Sequence, residues 1–172
     1  MKKTVLMIFV ALTAAAMLAT PVLAAPTNGQ KVPIIIKFIS PQTIVKGESW
    51  TTNGGVIQRR GYVVGFNVEL DVDGAPAIFG SAVVERDVGM ANVPKNEMML
   101  WHEEYVISFP TEGGGFEGTS VEHYTDFVSV SSYNLEIHFV LHGTGAFEGQ
   151  TINAWRTGPA GPEGATGYLL KP

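Results

Sequence analysis

From Tyr62 to Leu70 the chain alternates without a break. Tyr62, Val64, Phe66, Val68 and Leu70 fall on one side, and Val63, Gly65, Asn67 and Glu69 on the other. Successive side chains of a strand point to opposite faces, so this pattern predicts a half-buried strand. Leu135–Leu141 repeats it, with Leu135, Ile137, Phe139 and Leu141 set against Glu136, His138, Val140 and His142. Met98–Phe109 carries Met99, Trp101, Tyr105, Ile107 and Phe109 on one face, interrupted there only by Glu103. Val32–Ser40 (VPIIIKFIS) is a nearly continuous β-branched run, expected to be buried on much of both faces. Pro33 fits a strand end or a sheet edge, and Pro41 is expected to end the strand. Thr43–Trp50 is a weaker segment, broken by Lys46-Gly47-Glu48.

Turn chemistry separates these runs. Thr52-Asn53-Gly54-Gly55 and Asp73-Gly74 supply residues that tolerate positive φ. Ala77–Glu85 is expected to return antiparallel, and Gly89–Lys95 to be a loop. Pro110–Gly115 leads into a strand over Phe116–Phe127, followed by a serine-rich bend at Ser129–Ser132. Gly143–Gly145 is expected to turn the chain into a strand over Phe147–Trp155. Thr157–Ala165 is rich in Pro and Gly and reads as a loop, with Gly167–Leu170 as a short closing strand. No helical periodicity of useful length follows the N-terminal segment. Serial hairpins without long crossovers predict an all-β fold, an antiparallel up-and-down barrel of about eight strands. Closure removes the two edges that an open meander would expose. A two-sheet β-sandwich is the alternative.

The N-terminal segment has a different character. Lys2 and Lys3 precede an uncharged, mostly apolar run, Val5–Ala19, and Val22 and Ala24 form a small-residue cleavage signal. Residues 1–24 are therefore expected to be a signal peptide cut after Ala24, the run being shorter than a membrane span of about 20 residues. Residues 25–31 then form a short leader, and 32–172 one domain of a secreted or extracytoplasmic protein, with no stable membrane insertion after cleavage. The formal net charge is −5, and loss of Lys2 and Lys3 makes it more negative. An acidic chain without a basic patch is a poor partner for nucleic acid. With no cysteine, the protein has no disulfide and rules out thiol catalysis and cysteine-held metals.

Gly143–Gly149 (GTGAFEG) resembles the glycine-rich turn, Gly-Ser/Thr-Gly-x-Phe, of the allene oxide cyclase and dirigent-like β-barrels. An earlier stretch, Gly113–Thr119 (GGGFEGT), shares the Phe-Glu-Gly chemistry. Where that superfamily carries a further glycine, this chain has Thr151-Ile152-Asn153, and no catalytic residue is carried over. The resemblance implies an eight-stranded barrel, an apolar lumen holding a hydrophobic small molecule, and in some members a homotrimer. Without kinship, the same turn follows from the freedom of glycine at positive φ and from Phe147 pinning the hairpin to the core.

Candidate chemistry is sparse. His102 and Glu104 share a strand face about 6.6 Å apart. If the hairpin pairs Phe109 with Phe116, His102 faces His123, and the trio could ligate zinc or exchange protons. The plainer explanation is a solvated outer face behind the row of Trp101, Tyr105 and Phe109. His138 and His142, about 13 Å apart along a strand, cannot share a metal. Neither a zinc-protease, a phosphate-loop nor a nucleophile-elbow motif is present. No metal or cofactor is therefore expected. Arg60 shares the parity of Tyr62 and Phe66, which would let it enter the barrel mouth and hold a carboxylate; a solvated strand end is the alternative.

The leading expectation is a barrel binding a small apolar or amphipathic ligand through Arg60, Tyr62, Phe66, Trp101, Tyr105, Phe109 and Phe139. A cofactor-free isomerase or cyclase in the same lumen, as the resemblance suggests, is the second. A structural surface protein with a filled barrel is the third. A lumen packed solid would eliminate the first two. Charged groups converging on a cavity around a perturbed carboxylate would favour the enzyme, and a smooth apolar cavity a carrier.

Overall fold

Strand alternation carries most of the chain into one closed sheet. The computed structural model describes residues 29–90, 99–129, 132–159 and 164–172. The expected signal peptide, most of the leader and the greater part of the Gly89–Lys95 loop lie outside the described residues. Nine strands follow in order: β1 Gln30–Val45, β2 Glu48–Thr51, β3 Ile57–Val72, β4 Ile78–Met90, β5 Met99–Phe109, β6 Gly114–Ser129, β7 Ser132–Gly145, β8 Thr151–Pro159 and β9 Ala165–Lys171. Each of β3 to β8 pairs antiparallel with its successor, and β1 pairs with both β9 and β3. The ring is therefore an up-and-down barrel of eight strands, closed at Ile36 between Leu70 and Ala165. β2 lies outside the ring, paired only with the start of β3. The two-sheet sandwich is set aside.

Several boundaries differ from the sequence reading. Pro41 does not end β1. The chain passes it through a bulge between Ile39 and Gln42, where Ser40 has φ 55°, and pairing with β3 resumes. A bulge leaves its extra residues unpaired, so the missing N–H costs the ladder nothing there. Pro33 lies opposite Tyr168 of β9 but turns its carbonyl to Asp73 on the β3 side, where the ladder starts only at Ile34, so its missing N–H leaves no ladder bond unmade. Phe147 is not in a strand: β7 runs on through Gly145, and the turn occupies the residues before Thr151. β8 extends to Pro159, into the segment expected to be a loop.

One end of the barrel is packed shut. Phe109 and Phe116 are fully buried, and Phe147 folds back from the β7–β8 turn against both, with ring centroids 5.9 and 4.9 Å away. The Gly143 N–H donates to the Gln150 carbonyl at 2.8 Å, tying off this turn. A Cβ on Gly143 would sit 1.9 Å from the Phe147 carbonyl oxygen. Gly143→Ala is thus expected to push the plug outward and cost about 2 kcal/mol, measurable by urea unfolding. The glycine-rich stretch that stands out in the sequence is the floor of the barrel, not its mouth.

The outer wall mixes charged side chains with exposed apolar ones such as Ile35, Val83, Val106 and Val121, whereas the inner wall is mostly apolar. Lys37 bridges Glu69 and Asp71 at 2.6 and 3.0 Å, and these bonds, that to Glu69 foremost, raise its pKa. Glu85, Asp87, His102, Glu104 and Glu136 also face outward and are exposed. Among the described residues, no helix is long and apolar enough to cross a membrane.

Candidate functional site

Above the phenylalanine floor the lumen changes character. Arg86 on β4 stands in register with Glu103 on β5, and Glu103 with Ser120 on β6. One step toward the open end, Glu122 on β6 stands beside Ile137 on β7, which in turn faces Arg156 on β8. Residues directly opposed on neighbouring strands share a face, so all of these side chains point inward with the core.

Arg86, Glu122, Ile137 and Arg156 among them line a cavity of about 130 Å³. Its apolar wall is an aromatic cluster: Phe38 stacks on Phe139 at 5.6 Å and meets the edge of Phe66 at 5.7 Å, while Tyr105 lies 5.4 Å from Phe139. Leu135, Ile137 and Ala165 complete it, and Arg86, Glu122 and Arg156 supply charge. Such a space is comparable to a cavity that accepts benzene, roughly 150 Å³.

The polar groups form a connected network. Glu103 is buried, with its Oε1 2.5 Å from Arg86 Nε. Its Oε2 accepts from Ser120 Oγ at 2.8 Å and from the Tyr105 hydroxyl. Tyr124 donates to Glu122 Oε2 at 2.6 Å. The Arg86 guanidinium also lies 5.3 Å over the Phe66 ring. Burial holds the Tyr105 hydroxyl well above its usual pKa, with the Glu103 charge acting the same way. Glu122 is the unusual group. Burial, reinforced by the negative charge of Glu103, raises its carboxyl pKa to about 7, against the opposing pull of Arg86 and of the Tyr124 hydrogen bond. One inward carboxylate is thus compensated by an ion pair and two hydroxyls, while the other faces the cavity with a proton to exchange near neutrality.

Of the residues expected to bind ligand, Phe66, Tyr105 and Phe139 line this cavity. Phe109 does not; it is part of the floor. Arg60 is exposed and lies 5.6 Å over the Trp50 ring outside the barrel. Gly61 at φ 62° sits in a register shift between Arg59 and Tyr62, which breaks the parity that would have turned Arg60 inward. Tyr62 packs beneath Arg59 and bonds Thr43 at 3.0 Å, away from the cavity. The side chain of Trp101 lies outside the described residues.

The register of β5 and β6 pairs Phe109 with Gly114, not with Phe116. His102 accordingly faces Val121, and His123 faces Leu100. The pairing that would bring the trio together does not form, and His102 and Glu104 are exposed on the outer wall. His138 and His142 are exposed too, with Glu136. Among the described residues no group of three or more His, Asp or Glu side chains is placed to hold a metal ion.

Sequence reasoning missed Arg86, Glu122, Arg156 and Phe38. Glu103 was visible as the break in an apolar row, and it is the residue to which Arg86 is anchored. Arg86 continues the inward series Ala82, Val84, so the same alternation, carried past Glu85, would have located it. Two charges on inward parity of adjacent strands signal a buried pair, because an unpaired charge is too costly to bury. Comparison with protein-family models, with curated proteins and with solved structures finds no match to this chain.

Proposed function

We propose that the barrel binds a small amphipathic molecule in its lumen, apolar body against Phe38, Phe66 and Phe139, polar end toward Arg86, Glu122 and Arg156. The observation that carries this reading is the cavity of about 130 Å³ between an aromatic wall and three charged side chains. A structural barrel has no use for buried charge at the edge of an internal void, since apolar filling of similar volume is commonly as stable or more so. The resemblance of Gly143–Gly149 to the turn of ligand-holding barrels supports the same reading.

A second reading has its own support. Glu122 faces the cavity with a pKa of about 7. A carboxyl tuned to ambient pH is what general acid–base catalysis needs, whereas a passive carrier needs no such group. On that ground the lumen is a cofactor-free isomerase or cyclase rather than a store. Both readings share one test. Native mass spectrometry of the protein from its own host is expected to show a retained small molecule, absent from an Ala165→Leu chain whose cavity is filled. Wild-type protein that carries no ligand and takes up no small cyclic ketone from solution would sink both.

A further inference from the structure

Glu122, Arg86 and Arg156 come from three different strands and line one cavity with an aromatic wall. We infer that this lumen catalyses a proton shift in a small enolisable carbonyl compound, with Glu122 carrying the proton and the two guanidinium groups holding the oxyanion. The inference rests on the acid–base reading above and supplies its substrate class.

Four strands place polar groups around Glu122. β4 brings Arg86, β5 brings Glu103 and Tyr105, β6 brings Tyr124, and β8 brings Arg156; β1, β3, β7 and β9 bring only apolar side chains to the cavity. Glu103 is engaged by Arg86, Tyr105 and Ser120. Its charge and its hydrogen bond to Glu122 both favour the protonated form of Glu122. When two carboxyl groups are placed in environments this different, their roles separate. Glu122 alone combines cavity access, one hydroxyl partner and a titration near neutrality.

The rest of the cavity limits the reaction. The hydroxyls here, Tyr105, Ser120 and Tyr124, each donate to a carboxylate, and among the described residues no group of three or more His, Asp or Glu side chains is placed to hold a metal ion. Cations at the wall of a largely apolar space stabilise an oxygen that becomes negative during reaction, and their effect is large where water is excluded. A base and two cations lining one ring-sized space with an aromatic wall match a carbonyl compound with an acidic neighbouring C–H. In the first half-step ionised Glu122 takes the proton from the carbon next to the carbonyl. The C–H electron pair becomes a C=C bond, and the carbonyl oxygen takes the negative charge beside Arg86 and Arg156. In the second, Glu122 returns the proton to the far end of the conjugated system, and the oxyanion reverts to a carbonyl. No oxidant or reductant is needed, and the product is an isomer.

The test uses the full chain and cyclohex-3-enone, an unconjugated ketone with a single six-membered ring. In D₂O, wild-type protein is expected to convert it to the conjugated isomer, with solvent deuterium entering at the positions next to and remote from the carbonyl. The rate should rise with pH to a plateau above about 7, as Glu122 ionises. Glu122→Gln is expected to lower it by a hundredfold or more while ligand-observed NMR still shows the ketone bound. Arg156→Met, which keeps the Glu103 pair intact, is expected to lower it by a similar factor. Ketone bound to wild-type protein without isomerisation or deuterium uptake overturns the proton-shift inference and leaves lumen binding standing. Turnover unchanged in Glu122→Gln also overturns it. No binding of the ketone by wild-type protein defeats the inference and the lumen reading together.

Discussion

Glu103→Leu is expected to cost about 3–5 kcal/mol of folding stability, the largest loss from any single polar substitution in the lumen. Glu103 is 0% exposed at its side chain and Arg86 15%, with 2.5 Å between Oε1 and Nε. Leucine removes the carboxylate that sits against the guanidinium and, at the same stroke, the acceptor used by Tyr105 and Ser120. A cation deprived of its counter-charge away from water is far more costly than the pair was beneficial. It follows that Arg86→Met combined with Glu103→Leu should recover most of the loss, because an apolar pair of similar volume carries no stranded charge. Urea unfolding of the two single variants and the double one gives the coupling directly. If the double variant is as unstable as the sum of the singles, the two residues do not act as a unit and the network described above is wrong.

The same pair shows where a sequence is readable and where it is not. The closed ring was legible because nearly every inward position on β3, β5 and β7 is apolar, and alternation fixes which face a residue takes. The floor was half legible. Phe109 and Phe147 stood out as large side chains, but the turn that returns Phe147 to the core depends on backbone geometry at Gly143 that no pattern displays. The cavity was the least legible part. A rule that sorts residues by polarity alone sends Arg86 and Glu122 outward, although position in the alternation, Ala82, Val84, Arg86, turns Arg86 inward. Arg60 failed for the converse reason. It obeyed the alternation on paper, and the shift at Gly61 removed the register that made parity meaningful. The pairing of His102 with His123 failed on hairpin length, since the turn after Phe109 closes on Gly114.

Titration of Glu122 has a second consequence, independent of any ligand. Its carboxyl has a pKa of about 7 in the folded barrel against an ordinary value of 4.5. The folded state therefore binds this proton more tightly than the unfolded chain does. Between those two values the native protein holds more protons than the unfolded one, so the contribution to stability is fully present below pH 4.5. It declines as pH rises, and is lost above about 7. The shift corresponds to about 3 kcal/mol. Glutamine cannot ionise and keeps an oxygen to accept from Tyr124. Glu122→Gln should accordingly gain on wild type by about 3 kcal/mol between pH 4.5 and pH 8, whatever its offset at the lower pH. The comparison cancels the exposed carboxylates, which titrate alike in both proteins. Unfolding free energies measured in urea across that range decide the matter: two curves that run parallel from pH 4.5 to 8 would mean that Glu122 is already ionised in the acid range, and both the desolvated carboxyl and its role as a proton carrier would have to be given up.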